Sequence, residues 1–224
     1  MSTYEPFAAI YDRWSADMVE DIAFYVGLAR EADGPIVELA VGTGRVASVV
    51  ARETGRRVIG LDLSPGMLEH ARRTGADLDL RLGDMRELEL EEPAALVYCP
   101  ARSLLHLPTW SDRRRTFERV AASLRPGGRF AWNAFAFDHA IAARLDGQRQ
   151  AEPVPHTLHY AVGDNRVDIT LDSGDSISLW WATRNEWLGL IEVAGLELEA
   201  LHGGFAGEPF GDESREYVFV AKRT

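Results

Sequence analysis

A glycine turn between a buried strand and a helix is the feature that most constrains how this chain folds. Residues 36–41 are apolar except for Glu38, which is typical of a buried strand, and Gly42-Thr43-Gly44 follows directly. A helical pattern resumes over 45–54. Glycine lets a ligand approach the backbone closely, and the next helix offers free N–H groups and the positive end of its dipole. The segment therefore predicts a ligand site at the carboxyl end of a strand.

Strands and helices alternate after this turn. Further strands are predicted over 58–62, 78–82, 94–99 and 129–135, and further helices over 65–73 and 111–124, the second stopped by Pro126-Gly127-Gly128. This alternation is typical of βαβ units, which form a mostly parallel, doubly wound sheet with helices on both faces. The expected fold class is therefore α/β.

The rhythm changes towards both ends of the chain. Three β-prone runs within 156–183 are joined by short turns, which predicts a small antiparallel insert over 151–183 that resembles a lid. A helix over 17–32 lies in an N-terminal helical segment, 1–33, and a helix near 185–194 precedes final strands near 196–202 and 216–221. At 224 residues, one domain over 1–224 is expected.

The charged residues exclude several classes of function. The chain has 35 acidic and 24 basic residues, a formal net charge of −11, and Lys222 is its only lysine. Schiff-base chemistry and a phosphate-loop lysine are therefore not expected, and the acidic balance argues against binding to nucleic acid. The lone Cys99 excludes an internal disulfide and a cysteine zinc site, and we expect no metal. Without a long apolar run or a signal-peptide pattern, no membrane association and a cytoplasmic location are expected.

Two cofactors are compatible with the glycine turn taken alone. Asp62 ends the next strand, where a carboxylate accepts hydrogen bonds from ribose hydroxyls, and Gly42-x-Gly44-x-x-Ala47 also fits the dinucleotide fingerprint. Glu38 argues against a dinucleotide because its carboxylate would repel a pyrophosphate. The Tyr-x-x-x-Lys pair of short-chain dehydrogenases is also missing from the sequence. A nicotinamide-dependent oxidoreductase remains the alternative enzyme.

Four motifs taken in order carry a family resemblance. Glu-Leu-Ala-x-Gly-Thr-Gly, Leu-Asp-Leu-Ser, Gly-Asp-Met and Leu-Arg-Pro-Gly-Gly follow one another between residues 38 and 128. In this order they resemble the class I S-adenosylmethionine-dependent methyltransferases, whose Rossmann-like sheet has an antiparallel last strand. Ala40 departs from the pattern, since the family usually has glycine there. The resemblance implies S-adenosylmethionine as the cofactor and transfer of a methyl group to a nitrogen or oxygen of a small molecule.

The resemblance also implies roles for individual residues. The glycine turn and Glu38 would hold the methionine end, Asp62 the ribose, and the residues that follow β-strands two and three the adenine. The implied cofactor-binding residues are Tyr11, Glu38, Ala40, Gly42, Gly44, Asp62, Leu63, Met67, Asp84 and Met85. The structural alternatives are a helix cap or turn for Asp62 and Asp84, and a strand-end salt bridge for Glu38.

Catalysis by methyl transfer depends mainly on in-line positioning and on exclusion of water, so no strong catalytic motif is required. The candidate catalytic residues are Tyr11, which lies before the first long helix, and His106, whose imidazole titrates near neutral pH and follows the fourth strand. Asn133 is a further candidate for a substrate hydrogen bond. A non-catalytic protein that binds the cofactor has the same motifs and stays open, as do the acceptor and the oligomeric state.

Overall fold

The computed structural model describes residues 5–224, with side chains from Phe7 onwards. Residues 1–4 of the predicted N-terminal segment lie outside the described residues. The helices of the described chain are α1 Glu5–Ala8, α2 Tyr11–Trp14, α3 Glu20–Glu31, α4 Ala47–Thr54, α5 Pro65–Arg72, α6 Trp110–Ser123, α7 His139–Leu145 and α8 Arg184–Val193. Short 3-10 helices cover Met85–Glu87, Ser103–His106 and Val162–Asp164.

The strands form two separate sheets. They are β1 Ile36–Leu39, β2 Val58–Asp62, β3 Leu78–Leu82, β4 Ala94–Cys99, β5 Leu124–Phe135, β6 Arg149–Gln150, β7 His156–Ala161, β8 Arg166–Leu171, β9 Ser176–Trp180, β10 Leu196–His202 and β11 Glu216–Arg223. The larger sheet has the order β10-β11-β5-β4-β1-β2-β3, and the smaller one has the order β6-β7-β8-β9.

The large sheet confirms the predicted α/β class and its Rossmann-like arrangement. β1 to β5 are parallel, and β11 pairs antiparallel with β5 on one side and with β10 on the other. From β1 the chain adds β2 and β3 on one side of the sheet and then β4 and β5 on the other, so the direction switches between β1 and β4. In open sheets of this kind ligands bind at such a switch point, beyond the carboxyl ends of the strands.

The small sheet confirms the predicted antiparallel insert. Every pair in it is antiparallel, and it spans 149–180 rather than 151–183. On β8, Val167, Ile169 and Leu171 are buried while the alternate residues are more exposed, so one face of this sheet packs inward. The prediction that the whole chain is one domain stays a prediction.

One local prediction was wrong, and one helix was missed. We expected Pro126-Gly127-Gly128 to separate a helix ending near 124 from a strand beginning at 129, but α6 ends at Ser123 and β5 begins at Leu124. A shift in the β4–β5 register between Ala94 and Leu96 accommodates the turn-like residues inside the strand. Helix α7 was not predicted at all, although Asp138 caps it by accepting from the backbone N–H groups of Ala140 and Ile141.

A cluster of aromatic side chains packs on one face of the large sheet. Trp132 of β5 stacks on Phe130 and Phe219 with ring centroids 4.7 and 4.8 Å apart, and Phe117 of α6 meets it edge-on. Trp187 of α8 completes this group, and all five side chains are fully buried. The group fixes α6 and α8 against β5 and β11. No helix in residues 5–224 combines the length and the apolar character needed to cross a bilayer.

The residue that departs from the glycine pattern adopts a conformation that favours glycine. Ala40 has φ +52°, immediately before the turn that contains Gly42 at φ +55°. A left-handed conformation costs an L-residue roughly 1–2 kcal/mol because its Cβ crowds the following carbonyl oxygen. The chain therefore carries backbone strain at the start of its ligand loop.

We predict that Ala40→Gly raises the free energy of unfolding by about 0.5–1 kcal/mol. The relief of the left-handed strain exceeds the extra chain entropy that glycine brings to the unfolded state, roughly 0.5–1 kcal/mol. Urea denaturation measures the difference. The matched control is Ala143→Gly, at an exposed position inside α7, which should destabilise the protein. Equal losses in both variants would contradict a strained Ala40.

Candidate active site

A cavity of about 480 Å³ opens at the carboxyl ends of the parallel strands, where the switch point lies. Nine of the eleven predicted site residues line it directly. These residues are Tyr11, Ala40, Gly42, Asp62, Leu63, Met67, Asp84, His106 and Met85. The remaining two predicted residues, Glu38 and Gly44, lie beneath this wall in the buried strand and turn. The structure thus brings the predicted set together at one place.

Asp62 joins the ends of β1 and β2. One carboxylate oxygen accepts from the backbone N–H of Gly42 at 2.8 Å, and the other accepts from Ser64 at 2.9 Å. Asp62 is buried apart from its edge on the cavity. Because Asp62 also lines the cavity, its carboxylate is placed to accept hydrogen bonds from ribose hydroxyls. Asp62 therefore serves the local structure and remains placed to bind a ligand.

Close packing around this joint explains Gly60, which the motif analysis did not use, and Gly83 of the Gly-Asp-Met motif. A Cβ at Gly60 would lie 2.8 Å from a Val41 methyl carbon, so β1 and β2 approach here only because position 60 is glycine. A Cβ at Gly83 would lie 2.8 Å from Leu61 Cδ1. Because neither position carries a side chain, the three strand ends lie close enough to share one ligand site.

Glu38 is fully buried below the glycine turn. Burial raises the pKa of Glu38 to about 8, an effect that the Tyr98 hydroxyl and the Arg45 guanidinium partly oppose. Its Oε2 atom and the Thr43 hydroxyl are both buried, with no hydrogen-bond partner among the described residues. A buried carboxylate and an unsatisfied hydroxyl fit a ligand with an ammonium group, which donates three hydrogen bonds. The residues present therefore fit the methionine end of S-adenosylmethionine.

Tyr11 covers the glycine turn from above. Its ring carbon Cε1 lies 3.8 Å from the position that a Cβ on Gly42 would occupy. Burial raises the pKa of Tyr11, as do nearby Glu38 and Asp62, while Arg45 lowers it. The phenol is thus neutral and close to the buried carboxylates. A position of Tyr11 near the cofactor stays a prediction.

Arg45 is a site residue that the sequence reasoning missed. Its guanidinium binds both carboxylate oxygens of Asp21 on α3, at 2.6 and 2.7 Å, and also donates to the Met18 carbonyl. Both side chains of this ion pair are almost fully buried. The bidentate pair connects the glycine turn to the segment that carries Tyr11. Arg45 follows Gly44 directly, and that adjacency was the one available signal.

Asp84 has a dual role on the cavity wall. It caps the 3-10 helix by accepting from the Arg86 N–H at 2.9 Å, and its other oxygen binds the Arg86 guanidinium at 2.6 Å. Burial alone would raise the pKa of Asp84, but the hydrogen bonds from Arg86 outweigh it and lower the pKa. The turn-capping alternative for Asp84 is therefore present in the structure. Its proposed contact with adenine has to use the acceptor positions that Arg86 leaves.

His106 lies at the junction of the two sheets. It ends the 3-10 helix after β4, faces the cavity, and hydrogen-bonds the backbone of Ser178 on β9. The sequence suggested a base that titrates near neutral pH. Burial instead lowers the pKa of His106 to about 4, although the bond to Ser178 opposes the shift. The imidazole is therefore neutral at pH 7 and a weaker base than expected.

The loop between β4 and His106 is held by a polar network. Ala101 and Arg102 both have positive φ, +55° and +61°. Arg102 binds Glu216 of β11 at 2.7 Å through its guanidinium, and its backbone N–H donates to Asn133 Oδ1 at 3.3 Å. The Asn133 amide in turn donates to Glu216 at 2.6 Å. The network holds two left-handed residues and thereby positions the turn that carries His106.

Asn133 does not occupy the position that the sequence suggested. Its side chain is buried in this network, where its Oδ1 also accepts from the Tyr25 hydroxyl at 3.2 Å, and it does not line the cavity. The alternation of β5 directs residue 133 to the face of the sheet that Tyr25 of α3 covers. The prediction that Asn133 hydrogen-bonds a substrate is therefore wrong.

The sequence of this chain matches a known domain family. The profile of a methyltransferase domain matches residues 36–128, which covers β1 to β4 and the turns that follow these strands. Among the described residues, no group of three or more histidine, cysteine or acidic side chains is arranged to hold a metal. In sequence and in fold, the chain is similar to the class I S-adenosylmethionine-dependent methyltransferases.

Relatives with assigned names match along nearly the whole enzyme. It is 26% identical to a cypemycin N-terminal methyltransferase of a Streptomyces species, over 89% of this chain and 87% of the relative. It is also 26% identical to the dTDP-4-amino-2,3,4,6-tetradeoxy-D-glucose N,N-dimethyltransferase of Saccharopolyspora spinosa, over 90% of each chain. Among solved structures, the CcbJ methyltransferase of Streptomyces caelestis superposes with a TM-score of 0.83 at 25% identity, covering 100% of this chain and 98% of that one.

We predict that Glu38 makes the stability of the enzyme fall as pH rises. The pKa of this carboxyl is about 8 in the folded chain and near 4.5 when it is exposed, so its stabilising protonation is complete below pH 4.5 and is lost as pH rises through 8. Glu38→Gln removes this titration. Between pH 5 and pH 8 the wild type should therefore lose at least about 1.4 kcal/mol relative to the variant, the equivalent of one pKa unit.

Denaturation in urea at a series of pH values measures this difference. Glu53→Gln, on the exposed surface of α4, is the control and should keep a constant difference from the wild type across the series. A constant difference for Glu38→Gln as well would show that Glu38 is ionised in the free protein.

We predict that Glu216→Ala lowers the free energy of unfolding by about 2 kcal/mol, because it leaves Arg102 and the buried Asn133 amide without their acceptor. Glu197→Ala is the matched control on the neighbouring strand β10, where the pair with Lys222 is long and exposed. That loss should stay below about 0.5 kcal/mol. Chemical denaturation of both variants checks the contrast, and similar losses would show that the network does not hold the loop.

Proposed function

We propose that this enzyme transfers the methyl group of S-adenosylmethionine to an amine nitrogen of a small molecule. The observation that carries the proposal is the placement of neutral His106 at the same cavity as Tyr11 and Asp62. A neutral imidazole accepts a hydrogen bond from an N–H group and leaves the nitrogen lone pair for the attack. The names of the relatives support nitrogen as the acceptor atom, since both describe methylation of an amino group.

The cofactor supplies a methyl group on a sulfonium. The new N–C bond forms as the C–S bond breaks, the electron pair of that bond stays on sulfur, and the amine gives up one proton. The residues of this chain bind and align the partners for this in-line displacement. We assign Asp62 to the ribose hydroxyls, Glu38 and the glycine turn to the methionine end, and Leu63, Met67 and the Asp84–Met85 segment to adenine.

Tyr11 and His106 are the two residues that we place beside the reacting atoms. Tyr11 lies over Gly42 and so covers the methionine end and excludes water from it. His106 lines the same cavity and hydrogen-bonds the backbone of Ser178. In this arrangement His106 orients the acceptor through a hydrogen bond, and the released proton passes to solvent, because an imidazole with a pKa of about 4 retains a proton poorly at neutral pH.

Two alternative functions predict different behaviour. A nicotinamide-dependent oxidoreductase would place a pyrophosphate at the glycine turn, beside the Asp62 carboxylate, whose negative charge opposes it. A non-catalytic protein would bind the cofactor and transfer nothing. A cytoplasmic location, an acceptor that is not a nucleic acid, and one domain over 1–224 remain parts of the proposal.

Calorimetric titration with S-adenosylhomocysteine tests the proposal, followed by transfer from labelled S-adenosylmethionine to a panel of amines, amino sugars and phenols. We expect one site per chain and label on an amine. Asp62→Ala should weaken binding at least tenfold, since it removes both the ribose acceptor and the anchor of the Gly42 N–H. The exposed Asp77→Ala is the control. Binding of a nicotinamide dinucleotide in place of S-adenosylhomocysteine would reject the proposal.

A further inference from the structure

The small sheet supplies one wall of the cavity. Ile169 of β8 and Ile177 and Leu179 of β9 line the cavity together. The residues between them face the other way, as the 2.6 Å hydrogen bond from the Ser178 hydroxyl to Asp168 shows. The alternation of the two strands therefore presents only apolar side chains on this side.

The facing wall is apolar as well. Trp14 of α2 and the Leu107-Pro108 pair after His106 line the same cavity. These residues lie apart from the turns that we assign to the cofactor. His106 directly precedes Leu107 and hydrogen-bonds the backbone of Ser178, which lies between Ile177 and Leu179, so it is close to both sets of apolar side chains. The space next to it is therefore bounded mainly by hydrocarbon.

The arginines of the cavity are already neutralised. Arg86 binds Asp84 at 2.6 Å and Asp112 at 2.8 Å, and Arg102 binds Glu216 at 2.7 Å. No other cationic side chain is among the described residues that line the cavity. A diphosphate would have to displace these carboxylates and would also meet Asp62. The electrostatics of the site therefore oppose an anionic acceptor.

An apolar surrounding also favours the reactive form of an amine. Burial disfavours the ammonium form, so an amine held between these walls loses its proton more easily than in water. The same burial keeps His106 neutral, with its pKa lowered to about 4. The walls thus supply what a strong base would otherwise provide.

The geometry points to an acceptor that carries its amine on an apolar body without a phosphate group, selected by Ile169, Ile177 and Leu179. This inference rests on the proposed function. It separates this enzyme from relatives whose names describe nucleotide-linked amino sugars. The amine nitrogen would lie near His106, and the apolar body would lie against β8 and β9.

Binding to the complex of the enzyme with S-adenosylhomocysteine tests the inference without requiring turnover. The probes are n-butylamine, n-hexylamine, n-octylamine and thymidine 5′-diphosphate, and calorimetry gives each affinity. We expect affinity to rise roughly twofold to fourfold per added CH₂ group. Thymidine 5′-diphosphate should bind at least tenfold more weakly than n-octylamine. An affinity that does not change with chain length, no binding of any amine, or preferred binding of the diphosphate would each overturn the inference.

Two variants assign the selectivity to the wall. Ile177→Asp should remove the dependence on chain length, whereas Ser176→Asp, the adjacent exposed residue, should keep it. Ile177→Thr, which preserves β-branching, serves if the aspartate variant does not fold, and it should reduce the dependence. An unchanged dependence in a folded Ile177 variant would contradict the assignment. Failure of S-adenosylhomocysteine to bind the wild type would instead reject the proposed function, so the two failures are distinguishable.

Discussion

The hydrogen bonds of Asp62 to Gly42 and Ser64 are the interaction on which the cofactor side of the cavity depends. They fix the turn after β1 to the end of β2, and they use the carboxylate that is also placed for ribose. Because Asp62 binds the turn that leads into α4 and also lines the cavity, one acidic residue contributes to both the shape and the polarity of the site. The close contact between Gly60 and Val41 is needed for the same joint, since a side chain at position 60 would separate β1 from β2.

The remaining acidic groups give the cavity a consistent electrostatic character. Glu38 is buried and holds a proton in the free chain, while the cavity arginines are each committed to carboxylates. A cationic ligand stabilises the ionised form of Glu38 and leaves the ion pairs of the cavity arginines intact. A polyanion binds a cavity arginine only after it displaces the carboxylate that is already paired with that arginine. The net charge of −11 alone did not show this, since most of those acids lie on the surface.

The sequence predicted most of the fold because its local signals agree with the tertiary structure. Ser64-Pro65 begins α5, with Ser64 accepting from the Met67 N–H, and Asp62 ends β2 as the spacing from Gly42 required. The mistakes have physical causes of another kind. Pro126-Gly127-Gly128 has the composition of a turn, but β4 pairs with Leu124 before it and with Arg129 after it, so it forms an irregularity inside β5. The burial of Asn133 depends on Tyr25, which is more than 100 residues away and which no local pattern connects to it.

The two halves of the cavity differ in how the chain encodes them. The cofactor side comes from turns that follow consecutive parallel strands, so residues with related roles stay close to short motifs. The acceptor side is assembled from α2, the loop after β4 and the separate small sheet, whose side chains meet only after folding. A wall formed by residues that are far apart in the sequence cannot be predicted from a short motif. This is why the residues that select the acceptor emerge from the alternation of β8 and β9 in the folded chain, and why changes confined to that sheet can alter the acceptor while the joint at Asp62 keeps the cofactor site intact.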